Sequence, residues 1–478
     1  MRLAPLPLAL VAALLVALPA AAATPATRIP QAALDTAAQL RATALADDTG
    51  WKVTESLTAE VGPRMGGSEG DARAVEWAKA KFHELGFDKV WTEPVTFPKW
   101  ERRSQSAEVL GPHSQKLVVT ALGGSVGGTV EGQVVRFPDL ASLEQAAPGS
   151  LAGKIAFIDY RMERAQDGHG YGMGSRIRGA GPSAAIHAGA IGYLMRGAGT
   201  DDHRVAHTGM SGYAPGLQPI PIAALTNPDA DQLARLLAVD ASTRVRLSLD
   251  CGWDGEYTSQ NVIGEITGAT HPDEIVLIGG HLDSWDEGTG AIDDAAGVGI
   301  SMAAAKLIAD LPERPARTIR VVAFANEEQG LWGGRAYAQA HAAELAKHAL
   351  VSESDLGAGR IYGFDAGNID DGAKDAVMQI AKALEPLGVE WRPGEGDPES
   401  DVNPFAAMGA AWAWLGHDAT GYFDLHHTPD DTMDKIDPEV LRQNVAAYAV
   451  YTYLAAQAEG GFGSSPAKAA QPPRGVGR

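Results

Sequence analysis

The sequence predicts an α/β protein: a mostly parallel, mixed sheet sandwiched by helices and interrupted by an inserted β-rich module. Three observations predict it. From about residue 261 onward, apolar runs alternate with stretches of helical periodicity. Between residues 115 and 249 the texture changes to short strands rich in glycine. Carboxylates and imidazoles then follow the later apolar runs one after another, where an open α/β sheet builds its sites.

The chain opens with "MRLAPLPLALVAALLVALPAAAATP": one Arg, an apolar stretch and an Ala-x-Ala pattern. Residues 1–23 therefore read as a signal peptide, with a retained anchor as the alternative. The mature chain is expected to be secreted or periplasmic, with no membrane contact after cleavage. In residues 24–114, "QAALDTAAQLRATALAD" and "GDARAVEWAKAKFHELGF" carry helical spacing. The second stops at Gly86, and "KVWTEPVTF" follows as a strand. Residues 115–250 form the inserted module, with strands such as "GTVEGQVVRF", "GKIAFIDY" and "AIGYLMR" and two helical pieces, "PSAAIHAGA" and "DADQLARLLA". Residues 251–460 hold the main alternation. "EIVLIGG", "RTIRVVAFAN", "HALVSES" and "AAWAWLG" read as strands, and "DDAAGVGISMAAAKLIADL" and "DAVMQIAKALEPLG" as helices between them. From 461 to 478 the composition is small, polar and rich in Pro and Gly, which predicts a disordered tail.

A net charge of −21 and a pI near 5.0 argue against a nucleic-acid partner, which needs clustered basic charge. Cys251 is the single cysteine, so no intramolecular disulfide can form. An exported chain of this kind leans on a large core or a bound metal.

The polar residues at the strand exits carry the chemistry. His281 and Asp283 follow "EIVLIGG"; Asp293 and Asp294 open the next helix. Glu327 and Glu328 follow "RVVAFAN", Asp355 follows "HALVSES", and "DLHHTPDDT" supplies His426 and His427. Imidazole and carboxylate without thiolate suit zinc, or cobalt and manganese in its place. Two ions held close together need a bridging carboxylate, and a general base must stand beside them without serving as a ligand. Adjacent residues leaving a strand face opposite ways, so Glu327 and Glu328 are expected to have different tasks; alternation does not say which is which. Taken singly, each pair is ordinary: a surface His-x-Asp, a solvated Glu-Glu, an Asp-Asp helix cap. The force lies in all of them falling at strand exits of one domain.

The ordered motifs "GGHLDSW", "GAIDDAAG", "ANEEQG", "SESDLGA" and "HHTPDDT" resemble the co-catalytic zinc exopeptidases of the bacterial leucine aminopeptidase type. "LTAEVGPRMGGSEGDARAVEWA" together with "HLDSWDEGTGAIDDAAG" is similar to the carboxypeptidase Q branch. The resemblance implies two zinc ions per chain, bridged by Asp293, with His281 and Asp355 completing one ion and Glu328 and His427 the other. It makes Glu327 the general base, gives Asp283 the steering of a ligand imidazole, and puts a cis peptide after Asp293. It makes the module at 115–250 a protease-associated domain. "GDPESDVNPF" and "GHDATGYFDLH" lie where the family lines its pocket, with Asp401, Tyr422 and His426 as substrate-binding candidates. Peptide substrates follow, and a homodimer is compatible. Whether the chain trims amino termini, carboxyl termini or dipeptides stays open.

Three rival readings share the scaffold. A carboxypeptidase/deacylase would insert a lid between Asp355 and His427, where only about 70 residues stand. A non-catalytic binding protein would have lost ligands, and a glutaminyl cyclase would keep a single zinc. The inserted module is expected to be a spacer or specificity element, with "YGMGSRIRGAG" overhanging the pocket. Its His169, His187, His203 and His207 read as loop histidines without an acidic partner.

Overall fold

The computed structural model describes residues 26–469. Its strands are, in chain order, β1 (Lys89–Leu110), β2 (Gln115–Leu117), β3 (Val119–Ala121), β4 (Gly128–Phe137), β5 (Lys154–Ile158), β6 (Gly192–Arg196), β7 (Ile222–Leu225), β8 (Arg244–Ile266), β9 (His271–His281), β10 (Arg317–Phe324), β11 (His348–Glu353), β12 (Ile361–Gly367), β13 (Glu390–Trp391) and β14 (Trp412–His417). All belong to one mixed sheet.

At its centre β14, β11, β9 and β10 run parallel, flanked by antiparallel β12 and β8. These strands read as unbroken apolar runs because both faces are covered. Along β9 and β10, Val276, Ile278, Ile319 and Val321 pack into one core, and Ile275, Leu277, Val322 and Phe324 into another on the opposite face. The first core lies under helices Gln31–Ala44, Ala296–Ala309 and Pro438–Gln457; the second lies under Trp332–Ala340 and Asn403–Ala407. Period-two alternation thus serves two buried faces rather than one buried and one wet.

β1 and β8 form a long antiparallel ribbon, from Lys89 opposite Glu265 to Leu110 opposite Arg244. The far half of β8 pairs with β10, from Val262 to Ile266, and its near half with β4, from Arg244 to Leu249. The boundary expected at 250 is therefore a change of partner along one strand, with no break in the chain. In the module β4, β5, β6 and β7 run parallel, and β8 and β3 close the two sides antiparallel.

The glycines of "YGMGSRIRGAG" conceal a helix, Tyr171–His187. A Cβ on Gly181 would stand 2.2 Å from the hydroxyl of Tyr193, and one on Gly174 2.9 Å from Ala198. These glycines permit close packing of a helix on a strand and mark no turn.

The expected disordered tail needs correction. Phe462 is fully buried in the core, and Ser464 Oγ donates to the His348 carbonyl at 2.5 Å. Composition alone hid one anchoring aromatic. Residues 470–478 and the expected signal peptide lie outside the described residues. Among the described residues no helix is long and apolar enough to cross a membrane.

Candidate active site

The site candidates gather at the carboxyl edge of the parallel strands. His281 ends β9, Asp355 lies just past β11, and Glu327 and Glu328 follow β10 through Asn326. Asn326 takes φ 53°, a conformation Asn tolerates better than most residues, and so turns the chain sharply out of the sheet. Asp293 stands just before helix Ala296–Ala309, and the Asp293–Asp294 peptide is cis.

Asp293 is the centre of the constellation. Its Oδ1 lies 3.0 Å from His281 Nε2, and its Oδ2 3.3 Å from His427 Nε2. His281 Nε2 is also 3.3 Å from Asp355 Oδ1, and His427 Nε2 2.9 Å from Glu328 Oε2. One carboxylate thus stands between two imidazole–carboxylate pairs. His426 stacks on His427 with ring centroids 3.5 Å apart, and its Nε2 is 3.6 Å from Asp293 Oδ2. Asp293, His426 and His427 consequently form a second group close enough to share an ion, beside His281, Asp293 and Asp355. Sequence reading assigned His426 to substrate only.

Asp283 supports both sides. Its carboxylate oxygens accept from the backbone N–H groups of Glu327 (3.0 Å) and Glu328 (3.3 Å), while its carboxylate and carbonyl both face His281 Nδ1. Asp294 accepts from the His281 N–H. Behind them, the buried Arg64 guanidinium donates to the carbonyls of Leu282, Thr289 and Gly290, and Asp431 accepts from the N–H groups of Ala291 and Ile292. These two residues fix the loop that carries Asp293. They escaped sequence reading because their partners are backbone atoms.

The electrostatics fit cations. Burial, then the Asp355 charge, pushes the Glu327 carboxyl well above its usual range. Burial and Asp293 push Glu328 up to about 7. Burial would also raise Asp293, but the facing imidazoles of His281 and His427 outweigh it and hold that carboxyl well below its usual value. Burial disfavours charge on both imidazoles, yet the surrounding carboxylates raise them well above the usual histidine value. The cluster thus favours positive charge between its imidazoles and carboxylates. Asp293 Oδ2 and Glu328 Oε1 are buried without a hydrogen-bond donor, an arrangement costly unless an ion meets them.

The cavity above this cluster measures about 300 Å³. Asp293, Glu327, Glu328, Asp355, Tyr422, His426 and His427 line it, whereas His281 and Asp283 lie buried behind. Asp401 does not line it. Its Oδ1 accepts from the Gly334 N–H at the start of helix Trp332–Ala340, a capping task that its sequence context did not distinguish from substrate contact. The inserted module supplies the opposite wall through Tyr171, Arg178 and Met210, so it is more than a spacer. Arg178 donates to the carbonyls of Thr208 and Met210 and to the Tyr171 hydroxyl, and no carboxylate pairs with it among the described residues. His203 and His207, expected to lack acidic partners, have Asp430 and Asp201.

Comparison with known proteins agrees with this geometry. A model described as peptidase family M28 matches residues 261–452. Carboxypeptidase Q from Bos taurus is 34% identical over 406 residues, covering 84% of each chain, and that from Homo sapiens is 33% identical over 405 residues with the same coverage. The crystal structure of a peptidase M28 precursor from Shewanella amazonensis SB2B superposes with a TM-score of 0.87 at 50% identity, over 89% of this chain and 97% of that one. A zinc aminopeptidase from Bacillus subtilis shares the fold, with a TM-score of 0.59 at 20% identity, over 84% of this chain and 94% of that one.

Proposed function

The chain belongs to peptidase family M28, a family of zinc metallopeptidases, and from that premise we propose an exported dinuclear exopeptidase that cleaves short peptides bearing a free carboxyl terminus. The observation that carries the reading is the Asp293 carboxylate, one oxygen toward His281 and the other toward His427. In this reading Asp293 would be shared by two zinc ions, one held with His281 and Asp355 and the other with Glu328 and His427. Two ions bound there would polarise the scissile carbonyl and acidify the attacking water.

This chain's own groups do the rest. Glu327 lines the cavity outside both imidazole pairs, so its carboxylate oxygen is free to take the water proton. It returns that proton to the leaving amine nitrogen. Asp283 fixes the turn that aims Glu327 and holds the His281 ring. Tyr422 and His426 flank the substrate.

Two observations support the substrate class. The cavity is small, and Arg178 brings into an acidic site a guanidinium without a carboxylate partner among the described residues. A peptide α-carboxylate matches that fork. The name carboxypeptidase Q, borne by the relatives, points the same way. Export is supported by the apolar N-terminal stretch and its Ala-x-Ala pattern.

A panel of dipeptides with the zinc-loaded protein tests the reading. Amidating the carboxyl terminus should cost much more in kcat/KM than acetylating the amine. An equal or reversed loss would overturn the carboxylate preference, and saturation with full activity at one zinc would overturn the bridge.

A further inference from the structure

The inserted module touches the metal-ligand candidates through a device that the proposed mechanism does not use. The loop between β6 and β7 crosses the carboxyl edge, and His207 lies on it, 1% exposed. Its Nε2 is 2.5 Å from Asp201 Oδ2, and its Nδ1 2.8 Å from the His426 carbonyl. Both ring nitrogens therefore have a polar partner, a carboxylate on one side and a carbonyl on the other. A ring flip would replace both nitrogens with carbons and lose both bonds. Asp201 is held in turn: Oδ1 accepts from the His203 N–H at 2.8 Å, and Oδ2 from Asn227 Nδ2 at 3.2 Å. The ring presses on Gly199, where a Cβ would come 2.0 Å from Nε2.

The next residue makes the connection. Thr208 N–H donates to the His427 carbonyl at 3.0 Å. The Thr208 carbonyl accepts from His427 Nδ1 at 3.3 Å and from Arg178 Nη1 at 3.2 Å. A carbonyl at Nδ1 selects the tautomer whose free nitrogen is Nε2, the atom that faces Glu328 and Asp293. One carbonyl of the module thus orients both the His427 ring and the Arg178 fork.

We propose that Asp201 and His207 are positioning residues for hydrolysis: they lock the turn whose Thr208 carbonyl sets His427 and Arg178 together. The proposal rests on the reading of His427 as a metal ligand. It also makes the module a part of the site's architecture, with no group of its dyad touching substrate.

The test uses the full-length protein with Asp201→Asn, Asp201→Ala and Gly199→Ala. Zinc affinity is measured by chelator competition, alongside steady-state kinetics and thermal unfolding. One of the two ions should weaken by roughly 10–100-fold, the usual cost of removing a partner behind a ligand. The loss should be graded, with Ala exceeding Asn, the other ion should hold, and excess zinc should restore part of kcat. Asp159→Asn, which breaks the buried pair with Arg196 elsewhere in the module, should lower Tm and leave both affinities unchanged. If Asp201→Ala does not fold, the isosteric Asn variant and Gly199→Ala carry the test. Two ions in the wild type with unchanged affinities in the Asp201 variants would overturn the proposal alone. A single ion in the wild type would overturn the reading of His427 and the proposal with it.

Discussion

The two halves of the sheet reach the cavity by different means. The parallel half delivers ionisable side chains, one set per strand exit: His281 from β9, Glu327 and Glu328 beyond β10, Asp355 beyond β11. The inserted half delivers mainly backbone: the Thr208 and Met210 carbonyls hold Arg178, and the Thr208 carbonyl also meets His427. Side-chain chemistry has a residue type and so leaves a trace in sequence. A carbonyl belongs to every residue and leaves none. The difference also predicts how each half should fail: the first in chemistry or metal content, the second in recognition and alignment.

The largest effect is expected from Glu327→Gln, which keeps shape and removes a proton acceptor. Both zinc ions should stay, and kcat should fall by ~10²–10⁴-fold. Normal turnover would return Glu327 to the class of solvated strand-exit acids. Next, Glu328→Gln should weaken one ion by roughly 10–100-fold, with activity partly recovered in excess zinc; elemental analysis after dialysis reads this directly. Loss of metal in the Glu327 variant and not in the Glu328 variant would reverse their tasks.

On the module side, Arg178→Ala should act on discrimination. The preference for a free acid over the matching amide should shrink by roughly 10-fold, the scale of one charged hydrogen-bonded contact. The ratio between the two substrates isolates the carboxylate from any general misalignment. The smallest catalytic effect is expected from Gly181→Ala, whose Cβ would crowd Tyr193. It should destabilise the module by about 1–3 kcal/mol, read as a lower Tm, with both ions retained. Loss of an ion in that variant would mean that the module is coupled to the metal cluster through its whole body and not through the Thr208 turn.

The same contrast accounts for what the sequence revealed. The parallel core was legible because its strands are long apolar runs and its helices keep a steady period. The candidate site was legible as residue types at strand exits, although the separate tasks of Glu327 and Glu328 came from resemblance. Asp401 misled because a carboxylate capping a buried helix looks the same in sequence as one facing a cavity. His207 was missed because one partner, Asp201, lies six positions away in an irregular loop and the other is a carbonyl. Of the helix Tyr171–His187, only the end in "PSAAIHAGA" was legible; its first part was missed because glycine serves close packing as well as turns.

The ribbon of β1 and β8 has a consequence for protein engineering. Phe97 stands opposite Tyr257, and Pro98 opposite Glu256, so the chain leaves for the module and returns on adjacent, registered strands. A designer could cut there and join the two strands with a tight two-residue turn of the type that closes antiparallel hairpins. The shortened chain would keep the ladder from Lys89 to Phe97 and the neighbour that β8 gives to β10, while losing Arg178 and Thr208 together. Such a minimised scaffold would accept other modules at the same splice, each bringing its own wall and needing its own carbonyl for His427 Nδ1 in place of that of Thr208.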